Sequence, residues 1–207
     1  MDNVFKNGKV VDGGFLTPKG RLVFPNLFKA VEKNAKKNDG IKIFKANILF
    51  DKNEVSLDLL NKWVKDCVIA KFPIVNGKST IPKGFKYPIF KDADAEDGWY
   101  EKYNIGENCW HIEVKNNESH PPVLKNAKGA LVTEESQELY GGCYVRFLLE
   151  PYVYEFDMTN GITFNLKAVQ KIEDGDRFGS KKVDIDSALE PIEIDQDETN
   201  EPCIADL

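Results

Sequence analysis

The chain has 207 residues, of which 42% are hydrophobic and 30% charged, with a formal net charge of −6. This composition is typical of a soluble globular protein, and no apolar run approaches the roughly 18 residues that a membrane-spanning helix requires. The N-terminus, MDNVFKNGKVVDGG, has no targeting pattern. We therefore expect a cytoplasmic protein that does not associate with membranes. Four singly placed cysteines lack C-x-x-C spacing, which argues against a disulfide framework.

The charge is unevenly distributed along the chain. Residues 183–207 contain nine acidic residues and no Lys or Arg, which leaves 25 acidic and 28 basic residues, about +3, in residues 1–182. The acidic segment has too few large apolar residues to offset the entropy cost of ordering it. The sequence thus predicts one domain over residues 1–182 and a disordered acidic tail over residues 183–207.

The first predicted elements are two strands. Residues 21–28, RLVFPNLF, form a short apolar run in which Pro25 indicates an edge, a bulge or a bend. Residues 41–50, IKIFKANILF, alternate well enough for a second strand. The two runs predict a hairpin, and the second strand places on one face Phe44, Ala46, Ile48 and Phe50.

One helix is predicted at residues 56–72, SLDLLNKWVKDCVIAKF, because its apolar residues recur at helical spacing. Ser56 is placed to cap this helix, and Asp58 in the first turn suits the helix dipole. Residues 73–108 then form a long irregular segment with several glycines and prolines. A loop of this length inside a compact domain is usually functional.

Three further strands complete the predicted fold. Residues 109–115, CWHIEVK, alternate cleanly, with Trp110, Ile112 and Val114 facing the core. Residues 143–156 and 161–171 are apolar runs joined through an Asn-Gly pair, which is a strong hairpin signal. The pattern predicts an all-β fold with one main helix, which fits a five-stranded, partly open barrel.

Tyrosines and cations share one face of this last hairpin. Cys143, Val145, Phe147 and Leu149 alternate with them and define the core face, and a bulge expected at Pro151 leaves the phase beyond it open. Rings and cations together are typical of a groove for single-stranded nucleic acid, where bases stack and cations follow phosphates. The alternative is that the tyrosines simply cover a helix. The candidate nucleic-acid contacts are Tyr144, Arg146, Tyr152, Tyr154, Lys167, Lys171 and Lys45.

Other kinds of site have weaker support in the sequence. Cys109, His111, His120 and Cys143 lack the paired spacing of zinc ligands, so core thiols and surface imidazoles are the simpler interpretation. The carboxylates at residues 92–97 lack the spacing of a calcium loop. No phosphate-binding motif and no nucleophile with a nearby base occurs. We expect neither an enzyme nor a bound metal or cofactor.

The chain resembles a family of phage single-stranded DNA-binding proteins that have an oligonucleotide/oligosaccharide-binding (OB) fold. The resemblance is carried, from Gly20 to Ser180, by GRLVFPNLF, IFKANILFDK, YPIFKDAD, LYGGCYVRFLLEPYVYEF and NGITFNLKAVQKIEDGDRFGS. It implies sequence-nonspecific binding of single-stranded DNA in phage replication or recombination, with Tyr144, Arg146 and Lys167 on the sheet that meets DNA. One departure is that the predicted helix follows the second strand, whereas a standard OB fold has it between strands three and four.

The acidic tail fits the same interpretation. Several single-stranded DNA-binding proteins have a disordered acidic C-terminus with an apolar end, which recruits replication proteins and competes with DNA. Here Asp206 and Leu207 end the tail and are the predicted partner-binding residues. A solubilising tail is the alternative. For the whole chain the competing function is a phage structural or assembly protein whose β-domain binds protein, and the sequence is also compatible with a homo-oligomer.

Overall fold

The computed structural model describes residues 3–33, 40–87, 91–92, 105–156 and 159–178. These residues include helices α1 (Asn3–Asn7) and α2 (Asp58–Lys71) and a 3-10 helix (Glu134–Ser136). No helix among them is long and apolar enough to cross a membrane. The long strands are β3 (Gly20–Glu32), β4 (Lys42–Asp51), β6 (Cys109–Asn117), β8 (Tyr144–Phe156) and β9 (Thr159–Glu173), and the short ones β1 (Lys9–Val11), β2 (Gly14–Leu16), β5 (Lys91–Asp92) and β7 (Val123–Lys125).

The long strands form an open antiparallel sheet in the order β6-β4-β3-β8-β9. The hairpin β1–β2 pairs with β8, β5 pairs with β6, and β7 runs parallel to β9. The predicted all-β class with one main helix is confirmed, and the five predicted strands are the five long ones. The four short strands were missed because runs of two or three residues show no period.

Helix α2 lies between β4 and β6 in the chain, where the sequence placed it. Its indole ring at Trp63 stacks on the Phe164 ring, with centroids 6.1 Å apart, so the helix packs on the core face of β9. The predicted capping role of Ser56 is wrong, because the helix is capped at Leu57 without a side-chain hydrogen bond. The Ser56 hydroxyl instead accepts the Asp58 N–H at 3.2 Å. The buried residues of the helix are Leu60, Trp63, Val64 and Val68.

Two strand irregularities decide which side chains share a face. The interruption predicted at Pro25 is confirmed, because the β3–β4 register shifts between Val23 and Asn26. The bulge expected at Pro151 is wrong, because Pro151 pairs directly with Phe164 in continuous register. The register shifts instead at two other places: Lys167 is the extra residue where Leu148 and Leu149 pair with Ala168 and Leu166, and Ile172 is the extra residue where Tyr144 and Val145 pair with Glu173 and Lys171. Between these two shifts, Val169 and Lys171 lie on the core side of β9, whereas the sequence predicted that Lys171 shares the outer face with Tyr144.

The side chain of Asn116 joins β6 to β9, which are the first and the last of the five long strands in the sheet order. Its Nδ2 donates to the Leu166 carbonyl at 2.7 Å, and its Oδ1 accepts the Leu166 N–H at 2.8 Å. Asn116 is only 6% exposed. A side-chain amide thus supplies the donor and acceptor that a neighbouring strand would supply. This clasp brings the open sheet to a nearly closed barrel.

Candidate nucleic-acid interface

A groove of about 310 Å³ lies on the outer face of the sheet, where β3 meets β8. Arg21 and Tyr144 are directly paired there. The guanidinium carbon of Arg21 is 5.5 Å from the centre of the Tyr144 ring and 4.2 Å from that of Phe178. Lys19 Nζ lies 4.7 Å over the Tyr144 ring and forms an ion pair with Glu173 at 2.7 Å. We refer to Lys19, Arg21, Tyr144 and Phe178 as the Arg21 cluster.

The backbone fixes the orientation of the Arg21 guanidinium. Its Nε donates to the Gly142 carbonyl at 3.2 Å, and one terminal nitrogen donates to the Asp176 carbonyl at 2.5 Å. Gly142 has φ 111°, and a Cβ there would lie 2.0 Å from the Asp176 carbonyl oxygen. Only glycine at position 142 therefore lets the Gly142 and Asp176 carbonyls both approach the Arg21 guanidinium. Because the cation is held before any ligand arrives, little side-chain entropy is lost when it binds an anion.

Phe178 belongs to a strap, residues 174–178, that follows β9 and crosses the end of the sheet. The Tyr140 hydroxyl donates to Asp174 Oδ1 at 2.8 Å and accepts the Gly175 N–H at 3.2 Å. Lys171 Nζ pairs with Asp174 at 2.7 Å. Hydrogen bonds from Lys171 and Tyr140 hold the pKa of Asp174 below its ordinary value. These contacts position the Phe178 ring against Arg21.

Two lysines continue the positive charge along the same outer face. Lys45 on β4 is directly opposite Lys115 on β6. Arg21 is paired with Leu49, four residues from Lys45 on the same face of β4, which is about 13 Å along the strand. Lys115 Nζ also forms an ion pair with Glu113 Oε2 at 2.7 Å. Arg21, Lys45 and Lys115 therefore line one route across three strands.

The opposite end of the groove is acidic. Asp51, Glu54 and Glu107 line it beyond Arg21. Carboxylates repel a phosphate chain, and more strongly where water is partly excluded. An anionic polymer in the groove is thus expected to leave the Arg21 cluster towards Lys45 and Lys115 rather than towards Glu107.

The predicted face of β8 is interrupted at Arg146. Its guanidinium donates to Gln170 Oε1 at 3.0 and 2.8 Å and lies 5.4 Å from the Phe5 ring of α1. Partial burial lowers the pKa of Arg146. Phe5 of helix α1 therefore packs against Arg146, which lies between Tyr144 and Tyr152 on the face that the sequence treated as one surface.

The remaining tyrosines lie on the far part of the β8–β9 hairpin. Tyr152 is 51% exposed and pairs with Thr163. Tyr154 is half-buried, and its hydroxyl packs on Gly161, where a Cβ would lie 2.5 Å away. Lys167, at the bulge, is exposed and 3.5 Å from Glu150. The structure thus separates these three residues from the Arg21 cluster.

Lys171 and the two tail residues are the predicted site residues that the structure does not place on the outer face. Lys171 was expected beside Arg146, but it pairs with Val145 on the core side and its ammonium lies 5.5 Å from the Tyr140 ring. Its expected place on the outer face is therefore wrong, because the bulge at Lys167 inverts the phase. Asp206 and Leu207, like the whole predicted tail, lie outside the described residues.

The cysteines and histidines considered as metal ligands are dispersed. Cys109 and His111 are on β6, His120 follows that strand, and Cys143 precedes β8. Within the described ranges, no three His, Cys, Asp or Glu side chains are grouped as metal ligands. Burial raises the pKa of the Cys143 thiol, as expected for a core cysteine. The carboxylates at 93–97 lie outside the described residues.

Sequence reasoning missed three of the four members of the Arg21 cluster and also Lys115. Lys19 precedes the apolar strand β3 and Arg21 is near its start, and their proximity to Tyr144 depends on a strand pairing that spans more than 120 residues. Phe178 follows the last strand, in a segment without periodicity. The alternation of Arg21 with Leu22 was the one local signal that the arginine faces outwards.

An open barrel with a cationic and aromatic outer face is the architecture of OB-type nucleic-acid-binding proteins. The family model described as the single-stranded DNA-binding protein of Enterobacter phage Enc34 matches residues 14–199. Because the match spans most of the chain, this protein belongs to that family. No curated protein sequence gives a significant match.

Solved structures show the same fold at low sequence identity. The single-stranded DNA-binding protein from bacteriophage Enc34 superposes with a TM-score of 0.61 at 21% identity, covering 88% of this chain and 94% of that one. The structure of that protein in complex with single-stranded DNA gives 0.60 at 20% identity, covering 84% and 98%. The gp2.5 single-stranded DNA-binding protein of bacteriophage T7 gives 0.53 at 13% identity, covering 83% and 95%.

Proposed function

We propose that this chain binds single-stranded DNA without reading its sequence, in the replication or recombination of a phage and in the cytoplasm of the infected cell. The observation that carries the proposal is the Arg21 cluster, in which two cations and two aromatic rings meet at one point of the outer face. Family membership supports the same ligand class. The domain over residues 1–182 would supply the DNA surface.

Each part of the cluster has a chemical role in this proposal. Bases have a π-face whatever their identity, so a base stacked on Tyr144 or Phe178 contributes roughly 1 to 3 kcal/mol without selecting a sequence. Arg21 presents a planar cation that matches phosphate geometry. Lys45 and Lys115 extend the path of the phosphates, because they lie on the same face about 13 Å further along β4.

The far part of the β8–β9 hairpin would form a second contact. In OB barrels the loop after the fourth strand is one of the two that close over an oligonucleotide. Tyr152 supplies an exposed ring there, and Lys167 an exposed cation. Tyr154 supports the hairpin by packing on Gly161 and would stack a base with its open side. Arg146 would contact a phosphate only at the border of α1, since Gln170 already binds its guanidinium.

A titration with labelled oligothymidine tests the proposal. Fluorescence anisotropy at 50 mM and 200 mM salt should show binding that weakens with salt, because released counterions drive association with a polyanion. Duplex DNA of equal length should bind less well, since its bases are not available for stacking. Absence of binding at both salt concentrations would overturn the proposal and favour a protein-binding structural role.

We also propose that the chain does not cleave the DNA that it binds. The support is that Lys19, Arg21 and Tyr144 in the groove lining offer binding and stacking. The labelled oligothymidine should keep its length after prolonged incubation with the protein and Mg²⁺. Shortened products that persist in independently purified batches would contradict this part.

For the acidic residues 183–207 the sequence predicts recruitment of replication proteins or competition with DNA. Changing all nine carboxylates to amides distinguishes the two. Tighter oligothymidine binding would support competition for the cationic face, and unchanged affinity with lost capture of a phage polymerase, helicase or recombinase would support recruitment. No change in either would leave the segment as a solubilising tail.

A further inference from the structure

A surface at the C-terminal end of α2 exposes apolar side chains among lysines. Ile69, Ile74, Val75 and Tyr87 are 48%, 65%, 51% and 44% exposed. The sequence has no Asp or Glu between residues 67 and 87. We call this surface, at residues 69–87, the lysine platform. Its lysines are exposed, and within the described residues none forms an ion pair: Lys71, Lys78, Lys83 and Lys86.

The platform is a preformed surface. The Phe85 ring lies between those of Phe72 and Tyr87, at centroid distances of 5.6 and 5.2 Å. The Lys86 backbone pairs with β9, because its N–H donates to Asn160 at 2.8 Å and its carbonyl accepts the Ile162 N–H at 2.9 Å. Little conformational entropy would therefore be lost in ordering the platform when a partner binds.

The platform is remote from the Arg21 cluster, although it lies beside the far part of the β8–β9 hairpin, because Lys86 and Tyr154 both pack on Gly161. Lys86 is bridged to Gly161 near one end of β9, whereas Tyr144 pairs with Glu173 at the other end. Twelve residues of strand separate the two positions, which is about 40 Å along the strand. Three of its four exposed apolar side chains, Ile69, Ile74 and Val75, are aliphatic and offer no stacking face for a base. Exposed aliphatic side chains among charged ones are instead typical of a surface that binds protein.

We propose that the lysine platform binds the acidic segment at residues 184–195 of the same chain. The sequence of this segment, DIDSALEPIEID, interleaves five carboxylates with aliphatic residues and contains no basic residue. Its charge complements the four lysines, and its isoleucines and leucine match the exposed aliphatic centre. The chemistry of each partner is thus the complement of the other.

The chain is long enough for this contact. Residues 190–195 follow Phe178 by twelve to seventeen residues, which extend to about 40 to 56 Å, so this half of the segment reaches the platform about 40 Å along β9 while residues 179–189 span the distance. Docking on the platform would hold the carboxylates away from the Arg21 cluster and leave that cluster open to DNA. The attraction should be strongly salt-dependent, because the Debye length falls from about 10 Å at 0.1 M to about 3 Å at 1 M.

Nuclear magnetic resonance of the full chain tests the docking without any DNA. The wild type is compared with a variant carrying E190Q, E193Q and D195N. Backbone amide signals of residues 69–87 should differ between the two at 50 mM salt, and the difference should vanish at 1 M. Differences confined to Arg21, Tyr144 and Phe178, or none at all, would overturn the proposal. A difference that grows with protein concentration would also overturn it, in favour of a second copy.

Platform variants separate the apolar from the electrostatic contribution. I74S/V75S keeps the charge and removes aliphatic surface, whereas K83E/K86E reverses two charges. Both should abolish the difference at residues 69–87, and the matched control K125E/K128E, on another exposed segment, should keep it. If the difference in the amide signals of residues 69–87 persisted in both platform variants, the proposal would be wrong. Because no nucleic acid is present, failure here is distinguishable from failure to bind single-stranded DNA.

Discussion

Arg21 and Tyr144 are directly opposite each other on β3 and β8, and the guanidinium carbon lies 5.5 Å from the ring centre. Two carbonyls, of Gly142 and Asp176, hold the cation in this place. The pair therefore combines a fixed charge with a stacking surface, which are the two properties that a sequence-tolerant DNA groove requires.

Replacing Tyr144 should weaken oligothymidine binding by roughly 5- to 150-fold for Y144L, since one stacked base contributes about 1 to 3 kcal/mol. Y144F keeps the ring and should bind nearly as the wild type does. Anisotropy titration measures both. Y87L, which removes an exposed ring outside the groove, is the control. Equal affinities for Y144L and the wild type would remove Tyr144 from the site.

Neutralising Lys45 and Lys115 together should flatten the salt dependence of binding. Each lost phosphate contact reduces the slope of log K against log salt by about 0.7 for a single strand, so K45Q/K115Q should reduce it by about 1.4. The control K125Q/K128Q removes the same charge elsewhere and should leave the slope unchanged. An unaltered slope in K45Q/K115Q would show that the phosphates follow another route.

Removing the Asn116 clasp should destabilise the domain. N116A leaves the buried N–H and carbonyl of Leu166 without their partners, at a cost of about 1 to 3 kcal/mol for each group. Urea unfolding should show this loss of free energy. N117A alters the exposed neighbour and should unfold as the wild type does. A stable N116A variant would mean that β6 and β9 are held together by other contacts.

The strap should detach in acid. Hydrogen bonds with Lys171 and Tyr140 depress the pKa of Asp174 in the folded state below its ordinary value of 3.8. Its contribution is therefore fully present above that value and is lost as the pH falls through the lower, folded pKa. The amide signal of Gly175, whose N–H binds the Tyr140 hydroxyl, should report the transition. In D174N this transition should be absent, and a midpoint above 3.8 in the wild type would contradict the assignment.

Local periodicity was sufficient for the elements that repeat it over many residues. The helix at 58–71 and the five long strands were found from the spacing of their apolar residues, which also gives their approximate limits. The outward phase of Tyr144, Arg146 and Tyr152 also followed from alternation, because the β8–β9 register is continuous through Pro151. Lys171 was misplaced because a bulge changes the phase of a strand and has no unique signature in the residues around Lys167.

The sequence by itself determined the class of fold, the separation of a mildly basic body from an acidic C-terminal segment, and the presence of tyrosines and cations on strand faces, because composition and period are local properties of the chain. Only the tertiary structure decided which of these side chains meet. Arg21, Tyr144 and Phe178 come from positions far apart in sequence and are joined by the β3–β8 pairing and by the strap that Gly142 admits. Phe5 of helix α1 packs on Arg146, and the Asn116 side chain joins β6 to β9, through long-range contacts that no local pattern encodes.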